Sequence, residues 1–323
     1  MQLIIYAYSI IPMKRPKSTN KYLSKVIVLV VVIGLIIGLI RISHNQSLSQ
    51  TGSIQIVAAE NFWGSLASQL GGSKVKVTSI VSDTNADPHE YEVNATDARD
   101  FATANYVILN GAGYDSWGNK LLAASPNTKR QVLNVATLLG KKNGDNPHFW
   151  YSPSYVNKVV AQMEQNLISI DPSGKSYFAQ QYQILTASLS IYQQRISTIM
   201  KQFAGTKVAS TEDIFAYLAS ATGLNLISPQ AFTQAVADGN APPTNSVVQF
   251  QQQLQSGQVK VLVYNEQTVT PLTASMKLIA AQQNIPIIGV TETIQPPDTS
   301  FQVWMNAELL NLQNALNAQS LGQ

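Results

Sequence analysis

Two of the three histidines in this chain share a local setting. His89 stands in "NADPHEYE" and His148 in "GDNPHFWYSP", each directly after a proline and two residues after Asp87 or Asn146. Proline narrows the backbone and can aim the ring that follows it. A lone Pro-His pair is an ordinary turn; two of them in a chain this poor in histidine raise a metal site as a second reading. Two acids add to it: Glu212 in "ASTEDIF" and Glu292 in "GVTETIQPP". Glu212 could equally serve the first turn of a helix, where the macrodipole favours an acid. Glu292 could equally be a solvated loop residue. If the four converge, two imidazoles and two carboxylates suit a divalent ion such as Zn²⁺ or Mn²⁺. The third histidine, His44, lies in a polar stretch and takes no role.

His89, Glu212 and Glu292 follow short apolar runs, and His148 lies in a loop between two ordered elements. "IQIVAAE", "VKVTSIV", "YVILNGAG" and "QVLNVA" read as strands, alternating with helical stretches "FWGSLASQLGG", "ATDARDFATA" and "SWGNKLLAAS". That rhythm predicts βα units around a mostly parallel sheet, with ligands near the carboxyl ends of the strands. It stops at residues 154–203. There "YVNKVVAQMEQNLISI" reads as a helix. After "DPSG", about thirty residues run without proline or internal glycine, with Tyr182, Leu185, Leu189, Tyr192 and Ile196 at helical spacing. The rhythm then resumes: strands "KVAST", "VKVLVYN" and "IPIIGVTET", helices "EDIFAYLASATG", "LTASMKLIAAQQ" and a final "SFQVWMNAELLNLQNALNA". The expected fold class is α/β: two βα lobes with mostly parallel sheets, joined by a long rigid connecting helix, with a metal cleft between the lobes.

Ahead of this body lies an uncharged run, "VIVLVVVIGLIIGLI", behind a basic segment. It reads as a signal sequence or, by preference, an uncleaved membrane anchor, because no small-x-small cleavage pattern follows. Positive flanks stay in the cytoplasm, which places the body outside. The expected division is a basic cytoplasmic segment 1–25, the anchor or signal 26–42, a tether 43–53, an N-terminal lobe 54–172, the connecting helix 173–204 and a C-terminal lobe 205–323.

Composition removes several functions. With no cysteine there is no disulfide, thiolate metal site, cysteine nucleophile or lipid-modified cysteine in this sequence. Six of the 21 basic residues and none of the 18 acids lie in residues 1–42, so the body holds three more acids than bases. A mildly acidic body without a basic stripe argues against a nucleic-acid partner. The glycines of "NGAGYDSW" lack a phosphate-loop pattern. The four tryptophans, Trp63, Trp117, Trp150 and Trp304, read as packing residues, Trp63 and Trp150 also as cleft walls.

From Ile54 onward the chain resembles the zinc/manganese solute-binding proteins of bacterial ABC transporters. The pieces that carry the likeness are "DPHEYE", "NPHFWYSP", "STEDIFAYLASATGL", "VYNEQTVTP", "GVTETIQPP" and the Trp-Met helix, in the family's order. The resemblance implies two α/β lobes bridged by a rigid helix, with Zn²⁺ or Mn²⁺ as the bound, transported ion. It also implies an ABC permease partner, a monomeric receptor and an extracytoplasmic location. It puts ligands at His89, His148, Glu212 and Glu292. Glutamate at 212 is closer to manganese-type members, since zinc-specialised ones usually carry histidine there. Glutamate at 292 departs from the family's usual aspartate. "SDTNAD" is a short counterpart of the His- and acid-rich loop of many zinc importers. Glu266, in "YNEQTVTP", is expected to support the site or to serve structurally rather than ligate. The competing reading is a membrane-anchored metal-dependent hydrolase with Glu90 or Glu266 as general base. It would need an open coordination position and a substrate pocket, and no HExxH helix is present.

Overall fold

A computed structural model describes residues 53–83 and 91–321. The expectations for the basic segment, the anchor and most of the tether, and those for His89 and Glu90, lie outside the described residues.

The first strand, β1 (Ile54–Glu60), is followed by helix α1 (Asn61–Gly71) and β2 (Val75–Val81). Next come α2 (Ala95–Thr103), β3 (Tyr106–Leu109), α3 (Ser116–Ala124), β4 (Gln131–Asn134) and α4 (Val135–Leu139). The four strands pair in the order β2-β1-β3-β4, and every pairing is parallel. The inner strands β1 and β3 are almost wholly buried, as helices on both faces of a parallel sheet require. One boundary moved: "QVLNVA" ends as a strand at Asn134, whose side chain caps α4 by accepting from the Thr137 N–H.

The second sheet repeats the scheme. It contains β5 (Lys207–Ser210), β6 (Asn225–Leu226), β7 (Leu262–Asn265) and β8 (Ile287–Val290), in the order β6-β5-β7-β8 and again all parallel. Helix α5 (Pro153–Ile170) and the long α6 (Lys175–Phe203) separate the two sheets along the chain. Around the second sheet lie α7 (Ala216–Thr222), α8 (Gln230–Ala237), α9 (Thr244–Gln255), α10 (Pro271–Gln282) and α11 (Phe301–Leu321). The short strand β6 and helices α8 and α9 were not foreseen; their stretch has no strong apolar period between "ATGL" and "VKVLVYN".

The 29 residues of α6 span about 44 Å at roughly 1.5 Å per residue. Leu185, Leu189, Tyr192, Ile196, Ile199 and Phe203 form its buried stripe, at spacings of three and four. The connector does not stand alone. The last helix, α11, packs along it through Leu309, Leu312 and Leu316 in the same apolar cluster. Arg195 on α6 donates to Asn306 Oδ1 at 2.7 Å and Gln313 Oε1 at 2.8 Å. That cluster continues from β1 and α1 through α6 to β5 and α11, so one core unites both lobes.

Candidate metal centre

The loops beyond the strand ends of both sheets line a cleft of about 1100 Å³. Its charged lining among the described residues consists of Asp145, Asp213 and Asp238, without a lysine or arginine. The cleft therefore favours cations.

In the first lobe His148 is completely buried. Asn146, two residues earlier, accepts both the His148 backbone N–H and its Nδ1, each at 2.9 Å. The same side chain donates to the Asp213 carbonyl at 2.7 Å, and the Tyr217 hydroxyl donates to the Asn146 carbonyl at 2.9 Å. Asp213 Oδ1 also lies 3.2 Å from Nδ1. With two acceptors on the Nδ1 side, the tautomer carrying hydrogen there is favoured, and the Nε2 lone pair faces the other way. On that side Glu212 Oε1 lies 3.8 Å from Nε2. Two ligands each about 2.0–2.1 Å from a zinc ion can stand that far apart and still share it. Trp150 meets the ring edge-on at 5.2 Å between centroids and is stacked on Phe62; it is a buried packing residue against His148, and neither it nor Trp63 lines the cleft. Burial pushes the His148 pKa down, but the hydrogen bond and charge of Asp213, with Glu292 and Glu212, bring it to a net rise.

In the second lobe each polar residue sits at or just past the carboxyl end of a strand. Glu212 follows β5, Asn265 closes β7, and Glu292 follows β8. All three are fully buried. Glu212 does not cap the short 3₁₀ turn behind it. Instead Oε2 accepts from Asn265 Nδ2 at 2.7 Å, and the same amide donates to Glu292 Oε1 at 2.6 Å. The other Glu292 oxygen accepts from the Tyr114 hydroxyl of the first lobe at 2.7 Å. Glu292 is therefore buried and not a solvated loop residue, while Glu212 does stand at the start of a helical turn, as its alternative reading has it, but without a side-chain cap. Glu266 is different. Its side chain is exposed and lies over Gly289 of β8.

The family model described as "Zinc-uptake complex component A periplasmic" matches residues 56–315. The chain belongs to that family. It is 23% identical over 260 residues to "Metal ABC transporter substrate-binding lipoprotein FimA" of Streptococcus parasanguinis, covering 76% of this chain and 82% of that protein. To "Manganese ABC transporter substrate-binding lipoprotein PsaA" of Streptococcus pneumoniae it is 23% identical over 261 residues, covering 75% and 81%. In fold it resembles the Mn-bound periplasmic metal binding protein from Candidatus Liberibacter asiaticus, with a TM-score of 0.67 at 16% identity, covering 81% of this chain and 98% of that one.

Four supporting residues of this family member escaped the sequence reading. Asp213 groups with His148 and Glu212, their ligand atoms within 4.8 Å of one another. Its place beside Nδ1 makes it a partner that orients the imidazole, as carboxylates commonly do behind metal-bound histidines. Asn265 stands directly before Glu266 in "VYNEQTVTP" and is not of a metal-ligating type. Tyr114 is delivered by an unusual turn: Gly111, Ala112 and Gly113 have φ of 78°, 57° and 96°, and Ala112 bears the strain of that region. Asp115 fixes the turn by accepting the N–H groups of Asn110 at 2.6 Å and Gly111 at 2.8 Å. The fourth is Glu308 on α11, which binds the residue before Glu292. Its Oε1 accepts the Thr291 N–H at 3.0 Å, and Oε2 lies 2.8 Å from the Tyr151 hydroxyl of the first lobe. Burial pushes Glu308 up to about 8, against the hydrogen bonds that lower it.

Proposed function

We propose that this chain is an extracytoplasmic solute-binding protein that captures one divalent transition-metal ion, Zn²⁺ or Mn²⁺, and passes it to an ABC-type import permease. The observation that supports this reading is a buried polar cluster drawn from both lobes: His148 Nε2 lies 3.8 Å from Glu212 Oε1, Asn265 joins Glu212 to Glu292, and an acidic cleft includes the neighbouring Asp213 in its lining. His89 is the proposed fourth ligand, by its matching Pro-His motif. Membership of the family supports a permease partner, and one relative is a manganese ABC transporter substrate-binding lipoprotein.

Those relatives are named as lipoproteins, whereas this sequence contains no cysteine to carry a lipid. The segment Val26–Ile40 is the proposed membrane attachment. Among the described residues no helix is long and apolar enough to cross a membrane. Hydrolysis gains no support from Glu266, which is exposed and packed over Gly289.

The test is metal-stripped full chain in detergent, titrated with Zn²⁺ and with Mn²⁺ while calorimetry reads stoichiometry and melting reads stability. One ion per chain is expected, with a melting temperature that climbs with free ion. The H89A/H148A double variant is expected to lose both. Stoichiometric binding by that variant would refute the site.

A further inference from the structure

Asn265 is the point where the two acids of the proposed site meet. Its side chain is fully buried, and Oδ1 accepts the Gln267 N–H at 3.0 Å, which fixes the amide with Nδ2 toward the glutamates. Nδ2 carries two hydrogens. Its shortest contacts are Glu212 Oε2 at 2.7 Å and Glu292 Oε1 at 2.6 Å, with Thr268 Oγ1 farther away at 3.1 Å. One NH₂ group thus holds one oxygen of each carboxylate. Those two oxygens are turned toward the end of β7, while Glu212 Oε1 faces His148 Nε2.

Gln267 fixes the same loop by its backbone. Its Oε1 accepts the N–H groups of Glu292 at 2.6 Å and Thr293 at 3.0 Å, and its Nε2 donates to Thr293 Oγ1 at 3.0 Å. Glu292 can therefore neither rotate its carboxylate freely nor shift its backbone. The extra methylene relative to aspartate, which would otherwise let this side chain wander, is restrained at both ends.

We propose that Asn265 is a specificity-determining residue: by clasping one oxygen of each glutamate it leaves Glu212 only Oε1, and Glu292 only the Oε2 that also accepts from Tyr114, for a metal bond, and so favours a four-coordinate ion over one that seeks more oxygens. This rests on the metal-receptor reading above. Zn²⁺ is satisfied by four ligands in a tetrahedron. Mn²⁺ is harder, prefers oxygen ligands and is commonly octahedral, so it gains more when carboxylates can offer both oxygens. The amide acts on the ions only through the carboxylates, so it is a positioning residue.

The experiment compares the full chain with Asn265→Leu, a near-isosteric residue without a donor, and with Asn265→Ser, which can hold at most one glutamate. Zn²⁺ and Mn²⁺ affinities are measured by direct competition, and Co²⁺ is used as a spectroscopic probe of coordination number. The ratio of Mn²⁺ to Zn²⁺ dissociation constants should fall by about tenfold in N265L, the scale typical for partners behind metal ligands. N265S should fall in the same direction by less. Co²⁺ should change from the intense visible bands of four-coordination toward the weak bands of higher coordination. Equal weakening of both ions, with unchanged Co²⁺ bands, would make Asn265 merely structural and overturn the proposal. If neither variant melts cooperatively, the proposal is also overturned, because the residue then serves folding. Failure of the wild-type chain to bind either ion would instead strike the receptor reading itself.

Discussion

The two lobes hold their candidate ligands in opposite ways. In the first lobe the cradle of His148 is largely local: Asn146 lies two residues away, Trp150 two residues beyond, and a 3₁₀ turn follows at once. In the second lobe the glutamates are held at long range. Glu212, Asn265 and Glu292 come from three strand ends, 53 and 27 residues apart. The local part of that cradle forms when its loop folds, and Asp213 and Tyr217 of the second lobe then close on it. The acid pair exists only once the second sheet has assembled in register, because each member depends on where its strand stops.

This contrast can be tested from its strongest consequence downward. Removing either kind of ligand, as His148→Ala or Glu212→Gln, should weaken Zn²⁺ binding by more than about 100-fold, beyond the range for supporting residues. Equilibrium competition with a chelating dye would read it, and a small loss in either variant would dissociate that lobe from the site. Asp213→Asn should cost about 10-fold, because Asn146 still accepts from Nδ1. The Asn146→Ala change should cost more than Asp213→Asn, since it removes three bonds and not one contact. The reverse order would mean that charge, not the local turn, orients the ring.

Glu308 gives a pH test of the link between the lobes. Its folded pKa, about 8, lies above the ordinary 4.5, so the folded state keeps a proton that the unfolded state releases. Stability from this group is therefore fully present below pH 4.5 and declines as pH rises toward 8, by up to about 5 kcal/mol. Chemical denaturation across pH 5–9 should show that decline in the ion-free wild type and a flatter profile in Glu308→Gln. An unchanged slope would locate the ionisation elsewhere. Smallest of all, Glu266→Gln should leave ion affinity within about twofold, as expected for an exposed residue off the site. A larger loss would restore it as a supporting residue.

Periodicity made much of the fold legible. The βα alternation gave both parallel sheets, and the unbroken stripe from Leu185 to Ile196 gave the connector nearly to its ends. What escaped had weak local signals. Strand β6 has two residues, and α9 keeps a polar, glutamine-rich surface. At the site, histidines and acids are legible as metal-ligating types, and strand ends as positions. Asn265 had the position without the ligating type. Asp213 had the type but was overshadowed by its neighbour, Glu212. Tyr114 and Glu308 meet the site only through tertiary contacts across 178 and 17 residues, which no spacing rule reveals.

The placement of Glu308 on α11 also sets an order of events during synthesis. Glu308 follows every proposed ligand in the chain, yet it anchors the residue before Glu292 and the turn after His148. A nascent chain that has emerged only through residue 300 would carry all of those ligands without the helix that fastens their loops together. Competence to seize an ion should thus arrive late in translation. A stop codon before α11 should yield a chain with a complete ligand roster and no working trap.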